Sequence, residues 1–179
     1  MTAPVPVSAS PAERVRAACA RWGEPEVVDR CADLLRGVPA DDVDLILHLG
    51  GRGADNLLAL DALVYWPAVW AARALLYAWR PTAGPAVVGA LGHEAWRVRE
   101  MAAKVCALRE LGEAAEPLAV ALGDPVPRVR AAACRALGAV GEAEHAEGLR
   151  ELLDDPDPEV RRRAEQALDR LSRRLDRDL

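Results

Sequence analysis

Apolar side chains recur along this chain at steps of three and four residues, the spacing that gathers one face of an α-helix. Over 91–171 the helical pattern is itself repeated. Leu91, Leu122 and Leu153 stand 31 residues apart, and so do Val98, Val129 and Val160, Arg99, Arg130 and Arg161, and Ala102, Ala133 and Ala164. A period of roughly 20 to 50 residues marks stacked units that cannot bury their apolar faces alone. The pattern therefore predicts an all-α chain, an α-solenoid (a superhelix) of about five to six antiparallel helix pairs in a right-handed curved array.

Helix signals begin at Ser10, where Ser10, Pro11 and Glu13 supply an N-cap, a first-turn proline and a capping-box acid ahead of Val15, Ala18, Cys19 and Trp22. Gly23 closes that helix, Pro25 opens the next, and Asp41 and Asp42 start a third that ends at Gly50 and Gly51. A fourth is predicted over 54–64, and the stretch 67–79, apolar nearly all round, predicts a helix buried on several sides or one with an exposed apolar patch. A short helix over 85–91 follows. The clear repeats place short first helices over 116–122 and 146–153 and longer second helices over 128–140 and 158–171. In the earliest copy the stripe is expected to shift toward Leu108 and Leu111, with a second helix about two residues longer. The organisation expected is a disordered arm over 1–10, divergent helical pairs over 11–64 acting as a cap, and repeats over 65–179 ending in the charged run 171–179.

Composition narrows the picture. Phe is absent and alanine abundant, so the core should be thin, with Leu and Val packed among small side chains. A net charge of -5 argues against a general polyanion binder. Cys19, Cys31, Cys106 and Cys134 fall inside helical patterns with no metal-ligand spacing, which predicts buried reduced thiols and a cytoplasmic location. No run reaches the ~18 apolar residues of a membrane span.

Asp124, Pro125, Val129, Arg130, Ala133, Leu137 and Gly141, and again Asp155, Pro156, Val160, Arg161, Ala164 and Leu168, resemble HEAT repeats. They are most similar to the short HEAT-like units named for phycobilisome lyase subunits. The resemblance implies that the helix carrying the Val-Arg pair lines a concave side. It also implies that Asp124 with Arg130 and Asp155 with Arg161, each six residues apart, form a structural ladder between units. His93 stands where the first copy should have its acid, which leaves the ladder open there.

Six of the seven aromatic residues lie between Tyr65 and Trp96. Trp66, Trp70, Tyr77 and Trp79 read either as a bulky core or, together with Trp96, Arg97, Arg99, Lys104, Arg128 and Arg135, as a binding surface, since aromatics and Arg are the usual interface anchors. His48, His93 and His145 lack zinc spacing, and no nucleophile elbow, P-loop or dinucleotide fingerprint is present, so neither metal nor cofactor is expected. The single pair His93 and Glu94 cannot supply the cage of the HEAT-like diiron hydroxylase. The resulting expectation is a non-enzymatic scaffold or adaptor that binds a protein or peptide on its concave surface. The alternative is a nucleic-acid-binding protein related in architecture to HEAT-like DNA glycosylases, weakened because the column at 97, 128 and 159 reads Arg, Arg, Glu.

Overall fold

A computed structural model describes residues 6–59 and 64–177. The described residues form eleven α-helices joined by turns and short 3-10 segments, in two compact units that divide between Gly89 and Ala90. That boundary differs from the expected one at 64/65. The reason is the helix α5 (Trp66–Ala74), which packs on α1 (Pro11–Trp22), α2 (Glu24–Leu35) and α3 (Val43–Gly50) and so belongs to the first unit.

In the first unit the caps read from sequence are in place. Ser10 accepts from the Glu13 amide and Glu13 reaches back to Ser10, while Asp42 caps α3 through the Leu45 amide at 3.0 Å. The α1 to α2 junction turns on Gly23, whose φ of +86° a side chain would oppose. Residues 6–10, expected within a disordered arm, are instead a fastened turn. The Val7 carbonyl accepts from the Arg52 amide, and the buried Arg14 donates to the carbonyls of Ala9, His48 and Leu49. Arg73 adds a 2.8 Å bond to the Leu49 carbonyl, so two cations satisfy the C-terminal end of α3, where the helix dipole is negative. Residues 1–5, the remainder of the expected arm, lie outside the described residues.

Helix α4 spans Arg52–Ala59, two residues earlier than expected, and positions 60–63 of the predicted helix lie outside the described residues. The helix predicted over 67–79 stops at Ala74, and turns follow to Ala78 before α6 (Gly84–Gly89). All of α5 except Trp66 and Arg73 is buried, which is what its unbroken apolar character requires.

The second unit carries the 31-residue beat in three dimensions. Its second helices α7 (Trp96–Arg109), α9 (Pro127–Val140) and α11 (Pro158–Leu175) begin in register and pack in sequence, α7 on α9 and α9 on α11. The short first helices α8 (Ala115–Ala121) and α10 (Ala146–Glu151) lie against α9 and α11, giving the layered α-solenoid stacking expected. Val98, Val129 and Val160 have no exposed surface, nor have Ala102, Ala133 and Ala164. Leu118 and Leu149 fill the interior at the same register.

Two local expectations are corrected here. Helix α7 has the same 14 residues as α9, so the earliest copy is no longer than the next. Its stripe does not shift to Leu108 either. Val105 and Cys106 are buried at the positions of Ala136 and Leu137 and Leu108 is exposed, although Leu111, just past the helix, is buried as expected. At the other end α11 runs four residues past the expected Leu171, so most of the charged run expected as the polar end of the array is helical. Arg173 and Asp169 pair along the helix at 2.9 Å. Residues 178–179 of the charged run lie outside the described residues.

Cys31, Cys106 and Cys134 are buried, and loss of solvent pushes each thiol up to about 12. They are packing residues in these helices, as their placement predicted, whereas Cys19, expected to be buried with them, keeps part of its surface exposed near the end of α1.

Candidate interaction groove

The arginine ladder sets the frame. Each Val-Arg pair at the start of a second helix turns its valine into the core and its arginine along the edge between layers. Arg99 Nε and Nη2 donate to the two carboxylate oxygens of Asp124 at 2.7 and 3.0 Å, and Arg130 grips Asp155 the same way at 2.7 and 2.9 Å. The partner carboxylate is thus 25 residues downstream, one period less six, and belongs to the next layer. The pairing expected at six residues is corrected to a main-chain contact: Arg130 Nη1 donates to the Asp124 carbonyl at 2.8 Å and Arg161 Nη1 to the Asp155 carbonyl at 2.7 Å. Both aspartates also accept from the amide two residues on, Val126 and Asp157, each at 2.8 Å.

This geometry explains His93. The residue one period before Arg99 is Ala68, so the repeated arginine begins only at Arg99. His93 Nδ1 accepts from the Ala95 amide and Arg99 donates to the His93 carbonyl at 2.8 Å. Arg99 is therefore a ladder residue with a side chain 15% exposed, and its place in the predicted binding surface is corrected.

Asp155 is held below the usual carboxylate range, first by the Arg130 hydrogen bond. In Asp124 burial works upward but is outweighed by the bonds from Arg99 and Val126. A depressed folded-state value means stability that is full above the ordinary carboxylate range, about 3.9 for Asp, and is lost as pH falls through the folded value. Urea unfolding between pH 5 and 2.5 should show stability falling with acid. The fall should be shallower for the double substitution Asp124→Asn with Asp155→Asn; equal slopes would remove the ladder from the acid response.

Away from the ladder, α7, α9 and α11 turn a second set of positions toward a cleft of about 230 Å³, which shares Arg135 and Arg163 with a neighbouring one of about 180 Å³. Its floor is small, formed by Ala131, Ala132 and Ala167. Glu100 is buried at one side and accepts from Lys104 at 2.9 Å and Arg128 at 3.0 Å. Arg128 also lies 5.5 Å from the ring centre of Trp96, on which Arg97 stacks at 4.4 Å. Across the cleft Arg163 bonds Glu159 at 2.8 Å and Gln166 at 3.2 Å, and Arg170 reaches Glu110 at 3.3 Å. Arg135, exposed between the two halves, meets no carboxylate among the described residues.

The predicted surface residues thus divide. Trp96, Arg97, Lys104, Arg128 and Arg135 gather in the second unit, and the aromatics before them lie in the first. There Trp70 is core, only 4% exposed, with its ring 2.8 Å from where a Cβ on Gly50 would stand, which corrects its place in a binding surface. Trp66 stacks on Trp70 at 6.0 Å and remains partly exposed. Tyr77 is exposed in the turns beyond the end of α5, so it does not share a helix face with Trp66 and Trp70. Trp79 is half-buried beside Glu24, which accepts from its amide at 3.2 Å.

Sequence reasoning left Arg163, Gln166 and Arg170 out of the groove. The 31-residue register could have found Gln166, since Lys104, Arg135 and Gln166 form one column. It also passed over Trp22, which meets His48 edge-on at 5.0 Å beneath Arg21 at 4.6 Å. Among the described residues no group of His, Cys, Asp and Glu is arranged to hold a metal ion, and no described helix is long and apolar enough to cross a membrane.

Layered helix pairs, buried Val and Ala columns and an Asp-Arg ladder are the marks of one repeat type. Residues 105–169 match the HEAT repeats family model. The match covers the end of α7 and most of α8 to α11, the part of the chain that holds every ladder residue except Arg99 and most of the groove. No curated protein matches the chain.

Proposed function

We propose that this protein is a non-enzymatic cytoplasmic scaffold that holds a segment of another protein in the groove of α7, α9 and α11. HEAT repeats generally mediate protein interaction, which supports the reading. We assign its short units, as part of the same proposal, to the type named for phycobilisome lyase subunits, on the resemblance of residues 124–141 and 155–168. The observation that carries the scaffold reading is the groove itself, where a small-residue floor and several cations stand together with Trp96 beside Arg128, and among the described residues no acid, base and nucleophile converge there.

A second reading, nucleic-acid binding, draws on Lys104, Arg128, Arg135, Arg163 and Arg170 in one groove. The carboxylates of Glu100 and Glu159 stand among them and interrupt a phosphate track. Affinity capture from the native lysate, with and without nuclease, tests both with the full chain and with an Arg128→Glu, Arg135→Glu variant. Protein partners retained after nuclease and lost in the variant are expected; partners indifferent to the variant would remove the groove as the binding surface.

A further inference from the structure

Resting on that reading of the groove, we infer that its occupant is an acidic peptide segment whose carboxylate is received by Arg135. The other cations of the groove are already engaged inside the protein: Lys104 and Arg128 by Glu100, Arg163 by Glu159, Arg170 by Glu110. Arg135 is the exception among them, and its helix explains why. At three and four residues on either side stand Ala131, Ala132, Gly138 and Ala139, so α9 offers no acid at the positions from which a helix neutralises its own arginine. Lys104 and Arg163 each have a glutamate four residues before them.

The surroundings select the class of ligand. Arg135 presents a planar fork of donors suited to a carboxylate, and Ala131, Ala132 and Ala167 leave room for a backbone to approach it. A polynucleotide, charged at every step, would meet Glu100 and Glu159 within the same cleft. A peptide that carries acids at intervals can place one on Arg135 and neutral residues beside those glutamates. Neighbouring helices lie about 10 Å apart, so crossing three takes roughly 20 Å, or about six extended residues.

The test uses the full chain and a fluorescein-labelled peptide of about eight residues alternating Glu and Ala, followed by anisotropy at low salt. A Gln-Ala peptide and single-stranded oligo-dT serve as comparison probes. The Glu-Ala peptide is expected to bind, the Gln-Ala peptide not, and Arg135→Glu should weaken binding by about tenfold or more. Arg16→Glu makes the same charge change at an exposed position of the first unit and should alter binding by less than about twofold. Equal losses in the two variants would leave only a general field effect and overturn the proposal, as would absent peptide binding or tighter binding of oligo-dT lost in Arg135→Glu. Should a lysate partner depend on Arg135 yet resist displacement by the Glu-Ala peptide, the groove stands and its acidic occupant falls; a partner indifferent to Arg135 removes the groove.

Discussion

Replacing Asp155 by alanine is expected to lower the unfolding free energy of the second unit by about 3 kcal/mol. That is the low end of the cost of stranding one member of a buried ion pair. The magnitude follows from what the carboxylate does: it takes two charge-assisted bonds from Arg130 and one from the Asp157 amide while its side chain is 4% exposed and that of Arg130 12%. Removing it leaves a guanidinium facing a dry seam between α9 and the turn before α11. For a unit of this size the melting temperature should drop by roughly 12 °C or more. The neighbouring Asp154, exposed, serves as the control, and its alanine variant should stay within about 0.5 kcal/mol of the parent. In a double cycle, Arg130→Met with Asp155→Ala should cost clearly less than the two single changes together. If Asp155→Ala melts like Asp154→Ala, the ladder is ornament.

Gly138 offers a second large effect, with a sign opposite to intuition. It lies within α9, where exchanging glycine for alanine ordinarily stabilises a helix by about 1 kcal/mol. Here a Cβ would stand 2.9 Å from the Cα of Ala167 and 3.2 Å from its carbonyl oxygen, so it would strike the backbone of α11 and not the end of a flexible side chain. Gly138→Ala should therefore destabilise, and Gly138→Leu should cost about 3 kcal/mol, the upper range for overpacking, by prying α9 from α11. Chemical denaturation of the two variants decides the matter. A stability gain in Gly138→Ala would show that the α9 to α11 contact is looser than these distances state.

Both effects arise at one seam, between α9 and α11. The groove opens on the same helices, so its spacing depends on how closely they are held. Arg135, at the solvent side of α9, can change without touching either device, which is why its substitution separates binding from stability.

The periodic spacing of Val98, Val129 and Val160 was enough to establish layered helix pairs, because a residue that recurs at one step on one helical face has to meet its own kind in the next layer. The caps at Ser10 and Asp42 were legible for similarly local reasons, since each depends on neighbours a turn away in the chain, and Cys31, Cys106 and Cys134 were legible as core from the apolar stripes they sit in. Tertiary structure alone decided which arginine reaches which aspartate, because a carboxylate pairs with what is nearest in space, and the next layer brings Arg130 to Asp155 from 25 residues away. It alone showed that Trp70 is core, and that among the described residues no facing helix supplies Arg135 with the carboxylate its own helix lacks. Lys104 and Arg135 carry the same charge in the same column; the glutamate four residues before Lys104 is legible in the sequence, but only the packed helices show that no facing carboxylate among the described residues reaches Arg135.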